Sequence, residues 1–167
     1  LPGQGCQEQR RRRVDQSYES LDLKVAKALH RHPGFSLHAY EDGAAESFRI
    51  AKELGIRRSY EMPIAHWATV RRLLAEEAER LPDWEPTLES TREPESKLVR
   101  KETELYLADC ITCPSEFVLR SIPKKVRAMK PCQVAPFGSP PSSKHLEKAS
   151  ERHSQGPLKL LFVGSMS

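Results

Sequence analysis

Glu104-Leu105-Tyr106-Leu107-Ala108-Asp109-Cys110-Ile111-Thr112-Cys113-Pro114-Ser115 is the stretch that decides the fold. Leu98, Leu105 and Ala108 fall on one face with charges between them, the pattern of a helix running from about Glu95 to Leu107. A tight turn at Ala108-Asp109 leads into Cys110-Ile111-Thr112-Cys113, compact and partly β-branched, which reads as a short buried strand. Pro114 removes a ladder donor and ends it. Ser115 stands in the N-cap position of another helix, Glu116 to about Ile122. A strand that feeds a helix through a polar cap places Ser115 and Glu116 at the carboxyl end of a strand, the edge where open parallel sheets bind their ligands.

The rest of the chain lines up around this unit. Leu21, Val25, Ala28 and Leu29 make a helical stripe from about Ser17 to Arg31, stopped by His32-Pro33-Gly34. Phe35 to Tyr40 reads as a strand, with Glu41-Asp42-Gly43 as its carboxyl-end loop. A helix over 44–54 closes at Gly55, a strand over 57–62 ends at Pro63, and a helix from about His66 to Leu81 turns Trp67, Val70, Leu73, Leu74 and Ala78 inward. Residues 82–95, rich in proline and acid, form a surface loop. Downstream, Cys132-Gln133-Val134-Ala135 is a strand, 139–157 has linker composition, and Leu158 to Val163, with the apolar run Leu160-Leu161-Phe162-Val163, reads as a strand. Strands alternating with helices at this spacing predict an α/β fold with a parallel sheet.

At 167 residues the chain has room for one full domain. Its 27 basic and 23 acidic residues leave a net charge of +4, a mixed surface rather than a polyanion-binding face. Arg10-Arg11-Arg12-Arg13, close to one end and without aromatic company, reads as part of a solvated loose arm over 1–16, so no nucleic-acid partner is expected. No apolar stretch approaches the ~18 residues of a membrane span. Four cysteines (Cys6, Cys110, Cys113, Cys132) are too sparse for a secreted disulfide scaffold, which points to a reducing cytoplasm. Cys110 and Cys113 invite a zinc or redox reading. No second pair exists, however, and an extended segment sends the two thiols to opposite faces, so structural burial is the better account.

Three stretches together resemble glycosyltransferase family 4, the retaining nucleotide-sugar transferases of GT-B fold. They are Tyr40-Glu41-Asp42-Gly43-Ala44 with Phe48-Arg49-Ile50-Ala51-Lys52 and Leu54-Gly55; Glu104 to Asp109 with Ile111 and Ser115-Glu116-Phe117; and Val134 to Gly138 with Leu160 to Gly164. The resemblance implies a partial Rossmann-like acceptor-side domain over 17–138, an interdomain linker over 139–157 and the first strand of a donor-binding domain over 158–167. On that reading the chain is a fragment, inactive alone, of a hexosyltransferase-type enzyme that moves a sugar from a nucleotide-sugar to a sugar or lipid-linked acceptor. It uses no metal or other cofactor, and peripheral membrane contact is compatible with it. Glu41, Asp42, His66, Ser115 and Glu116 then line the acceptor cleft, while Gly164 and Ser165 approach the donor phosphates. The family's glycine-rich first loop is not visible before residue 17, and its basic pair and E-x7-E belong to the second domain; Glu77 and Glu85 have that spacing, but Pro82 breaks the segment.

Each of these residues also has a plainer reading. Asp42 is placed to start the next helix, Ser115 to cap its own, and His66 to sit structurally beside Trp67. Trp67 and Trp84 are candidates to stack on a sugar, although Trp67 suits a core position. The reading from another class is a non-catalytic, flavodoxin-like α/β binding or regulatory module.

Overall fold

Residues 4–34 and 36–138 are described by a computed structural model, with 4–11, 89 and 91 described through their backbone alone. Helix α1 (Gln4–Arg31) leads into β1 (Ser36–Tyr40), α2 (Ala45–Glu53), β2 (Arg57–Glu61) and α3 (Trp67–Arg80). Two short 3-10 turns, Pro82–Thr87 and Glu89–Arg92, precede α4 (Glu95–Leu107), β3 (Cys110–Cys113), α5 (Glu116–Ser121), α6 (Lys124–Met129) and β4 (Cys132–Val134). The fold is α/β, as the alternation predicts. All strand pairs are parallel, in the order β1-β2-β3-β4.

Side chains alternate across a strand, so the register sorts the sheet into two unlike faces. On one face Ala39 lies opposite Tyr60, Tyr60 opposite Ile111, and Ile111 opposite Cys132. This face carries the core: Tyr60, Ile111 and Cys113 pack with Phe48 of α2, Leu105 of α4, Val118 of α5 and Val126 of α6. A second cluster, Ala26 and Leu29 of α1 with Ile50, Ala51 and Ile56, holds α1 against α2. The other face is polar. There His38 contacts Ser59 at 3.2 Å and Glu61 at 3.0 Å, and Gln133 donates to Thr112 at 3.2 Å.

Local chemistry sets the element ends. Helix α2 has no capping side chain of its own at Ala44; Asp22 of α1 supplies one, accepting the N–H groups of Glu46 (2.7 Å) and Ser47 (2.8 Å). Gly55, at φ +70°, turns the chain out of α2, a conformation that needs no Cβ. The ammonium of Lys130 closes α4, donating to the carbonyls of Leu105, Tyr106 and Ala108 at 2.6–2.8 Å. Replacing Lys130 with Met is expected to cost about 1–3 kcal/mol, because those carbonyls lose a charged donor. A urea midpoint unchanged in Lys130→Met means that water replaces the lysine without loss.

Three elements differ from the sequence reading. Helix α1 starts at Gln4 rather than near Ser17, so the backbone of 4–16, expected as a loose arm, is helical. Gln, Glu and Arg are good helix formers, and Asp15, 3.2 Å from Lys97, ties this part of α1 to α4. Helix α3 buries none of its residues fully; Leu73 is exposed, and the helix rests on the two 3-10 turns. Helix α6, not anticipated, is too short to show a period; Pro123 precedes it, and Val126 anchors it in the core. The predicted linker 139–157, the strand over 158–163, and Gly164 and Ser165 lie outside the described residues.

Candidate functional site

The carboxyl ends of the described strands carry Glu41, Asp42, His66, Ser115 and Glu116, and α4 separates a cluster at Glu41 and Asp42 from one at His66. Residues three and four apart share a face of a helix. Lys97, Arg100, Lys101 and Glu104 therefore meet the loop after β1, whereas Val99, Glu102, Thr103 and Tyr106 look toward the start of α3.

The first cluster is built on Glu41-Asp42-Gly43. Asp42 adopts φ +79°, the left-handed region that Asp tolerates better than most residues. Gly43 lies against Tyr18, where a Cβ would come within 3.1 Å of the ring. Glu104, completely buried, accepts the N–H groups of Asp42 (2.8 Å) and Ala44 (2.9 Å) and the hydroxyl of Tyr60 (3.3 Å). Lys101 lies 3.2 Å from Glu41, Lys97 lies 3.1 Å from Glu93 and 3.5 Å from Asp42, and Arg100 lies 2.5 Å from Glu19.

Burial governs the electrostatics here. It raises the Glu41 carboxyl above its ordinary value against the pull of Lys101. It pushes Glu104 up to about 7 despite the two N–H donors. Burial works to lower Lys97, but Asp42 and Glu93 outweigh it and hold the ammonium above its usual range. Among the described residues, Asp42 Oδ1 and Arg100 Nε and Nη2 are buried without a hydrogen bond, and Nη2 and Oδ1 face each other at 3.7 Å. These ion pairs brace α1, the β1 loop and α4.

The second cluster opens to solvent. A groove of about 430 Å³ is lined by Trp67, Glu95, Leu98, Val99, Glu102, Thr103, Tyr106 and Leu107. At its α3 end, Glu102 Oε1 accepts from His66 Nε2 (2.8 Å) and Trp67 Nε1 (2.7 Å). His66 Nδ1 accepts from the Ala68 N–H at 3.3 Å and so caps α3, which assigns the ring proton of the neutral histidine to Nε2. The His66 backbone N–H donates to Ser121 Oγ at 2.8 Å. The carboxylate of Glu102 is thus fixed beside an indole, in an otherwise largely apolar trough.

The structure does not gather the predicted acceptor residues at one point. Glu41 and Asp42 belong to the ion network and His66 to the groove. Ser115 caps α5, accepting from the Val118 N–H at 3.3 Å, and Glu116 is exposed in the first turn of that helix. The strand order is sequential, so no reversal among the described strands opens a crevice between neighbouring loops. Glu102 and Tyr106 went unrecognised, although their spacing of four with Val99 one turn earlier marks a helix face distinct from the buried one. Trp84 is exposed in a 3-10 turn. Cys113 is buried in the core, its thiol pushed up to about 11 by burial, while Cys110 points to the opposite face. Among the described residues no group of three or more His, Cys, Asp or Glu side chains is placed to hold a metal ion. No helix in the same set is long and apolar enough to cross a membrane.

Compared with known proteins, the chain matches no family model, no curated protein and no solved structure.

Proposed function

We propose that this domain recognises the acceptor in a sugar transfer, as the acceptor-side half of a retaining, nucleotide-sugar-dependent transferase of the family 4 type, with a sugar or lipid-linked sugar as acceptor. The observation that carries the proposal is the groove at Trp67. The Trp67 indole, which carries the Arg71 guanidinium over its ring at 5.3 Å, lines the groove as the wall for the C–H face of a pyranose ring, and the clamped Glu102 carboxylate is the acceptor for its hydroxyls. Thr103 and Tyr106, on the same wall, supply hydroxyl groups. Glu102 is positioned before any ligand arrives, because His66 and Trp67 both donate to it, and such preorganisation reduces the ordering cost of binding.

Tryptophan fluorescence tests the proposal. In a Trp84→Phe background, Trp67 is the only indole, and titration with methyl glucosides or maltose is expected to shift its emission. Glu102→Gln is expected to weaken that binding by roughly tenfold, the worth of a hydrogen bond to a charged group. Saccharides that leave the Trp67 signal unchanged at concentrations suited to weak sites would remove the basis of the proposal.

The second reading, a non-catalytic binding module, is favoured by the engagement of Glu41, Asp42 and Ser115 in scaffold contacts. It predicts saccharide-independent capture of another ligand and no effect of Glu102→Gln on sugar binding.

A further inference from the structure

The outward side of α1 carries a second feature, independent of the groove. The helix has three acids beyond its arginine run, and all three are engaged by α2 or α4. Asp15 pairs with Lys97 and Arg100, Glu19 pairs with Arg100, and Asp22 caps α2. What remains outside is one continuous stripe. Val14, Ser17, Leu21, Lys24, Ala28 and Arg31 follow one another at alternating spacings of three and four, with Arg13 beside Ser17, and all seven are exposed. By helical phase Val14, Leu21 and Ala28 form its apolar edge and Arg13, Lys24 and Arg31 its basic edge. Val14 is 47% and Leu21 is 56% exposed, and no acid interrupts the stripe.

We infer that this stripe of α1 is a docking face for an anionic lipid surface. Helices that lie in a membrane interface bury a narrow apolar edge at the acyl boundary while lysines and arginines beside it meet anionic headgroups, and this helix has that arrangement. Charge complementarity favours a surface of negative sign. The exposed valine and leucine favour lipid over nucleic acid, because phosphate contacts alone make no use of apolar side chains. The inference does not depend on saccharide binding at Trp67, since none of these residues lines that groove.

Sedimentation of the full chain with vesicles tests it. Mixed phosphatidylcholine–phosphatidylserine vesicles are expected to bring the chain down, and pure phosphatidylcholine vesicles are not. The triple variant Arg13→Gln, Lys24→Gln, Arg31→Gln is expected to bind on the order of a hundredfold more weakly, from a loss of about fivefold per charge. Val14→Asp with Leu21→Asp is expected to abolish binding while the positive charges remain, and circular dichroism confirms that each variant folds. Absence of binding to serine-containing vesicles overturns the inference, and that comparison needs no variant. Vesicle binding that survives Val14→Asp with Leu21→Asp, matched by equal affinity for duplex DNA, also overturns it and reassigns α1 as a general polyanion surface.

Discussion

Glu104→Ala is expected to destabilise the domain by about 3–5 kcal/mol, the largest loss of any single substitution considered. The N–H groups of Asp42 and Ala44 and the hydroxyl of Tyr60 all donate to this one carboxylate, deep in the core. Each buried donor left without a partner costs about 1–3 kcal/mol. For a domain whose whole stability is of the order of 5–15 kcal/mol, that loss approaches unfolding. Urea denaturation reads it directly, and a midpoint within error of the parent chain would show that the Asp42–Ala44 turn is held by other means.

The same carboxyl gives stability a pH dependence of defined sign. Burial raises it from 4.5 to about 7, so between those values the folded chain keeps a proton that the unfolded chain releases. Its contribution is therefore complete below about pH 4.5 and lost as pH rises toward 7. The total is roughly 3 kcal/mol if the full shift is expressed. Glu41, also raised by burial, acts in the same direction. Glu104→Gln keeps one acceptor and cannot titrate. The difference in stability between parent and variant is therefore expected to change across pH 4.5–7 in favour of the variant, and a flat difference would contradict the assignment.

The unit at 104–115 was the most legible part of the chain, and the reason is physical. Helix α4 runs through more than three turns, so its period is visible, and β3 is followed by Pro114, which has no N–H for a strand ladder. Helix α6 has six residues and one core contact, too few for a pattern. The polar residues at strand ends were visible as candidates, but their employment was not. Ser115 reads the same in sequence whether its hydroxyl accepts from Val118 or from a ligand, and Glu41 reads the same whether or not a buried Lys101 waits across the turn. The residues of Glu104-Leu-Tyr-Leu-Ala-Asp109 turn out to be bracing groups. Glu104 holds the β1 loop, Ala108 is buried where the chain turns into β3, and Asp109 grips Arg58. The groove was missed because its fixed carboxylate depends on a contact between positions 35 residues apart in sequence, Glu102 and Trp67, which no local pattern reports.

Asp109→Ala is the second large effect, about 2–4 kcal/mol, and it arises from what is left behind rather than from what is removed. Arg58 sits on the core side of the sheet with its side chain only 11% exposed. Its Nε donates to the Leu107 carbonyl at 2.7 Å, Nη1 donates to the Ile56 carbonyl at 3.2 Å, and Nη2 donates to Asp109 Oδ1. Asp109 Oδ2 also accepts the Arg58 backbone N–H at 2.7 Å, so one carboxylate serves both the charge and the strand edge. Deleting it strands a guanidinium in the core without a counter-ion. Arg58→Met should cost less, because the orphan is then Asp109, whose side chain is 38% exposed and stays hydrated. Combined with Asp109→Ala, Arg58→Met should restore part of the loss, since the uncompensated charge disappears and the methionine still fills the space. A double variant that is the sum of its singles would mean the two side chains do not act as a pair. A double variant more stable than Asp109→Ala alone would locate the cost of the deletion in the stranded arginine.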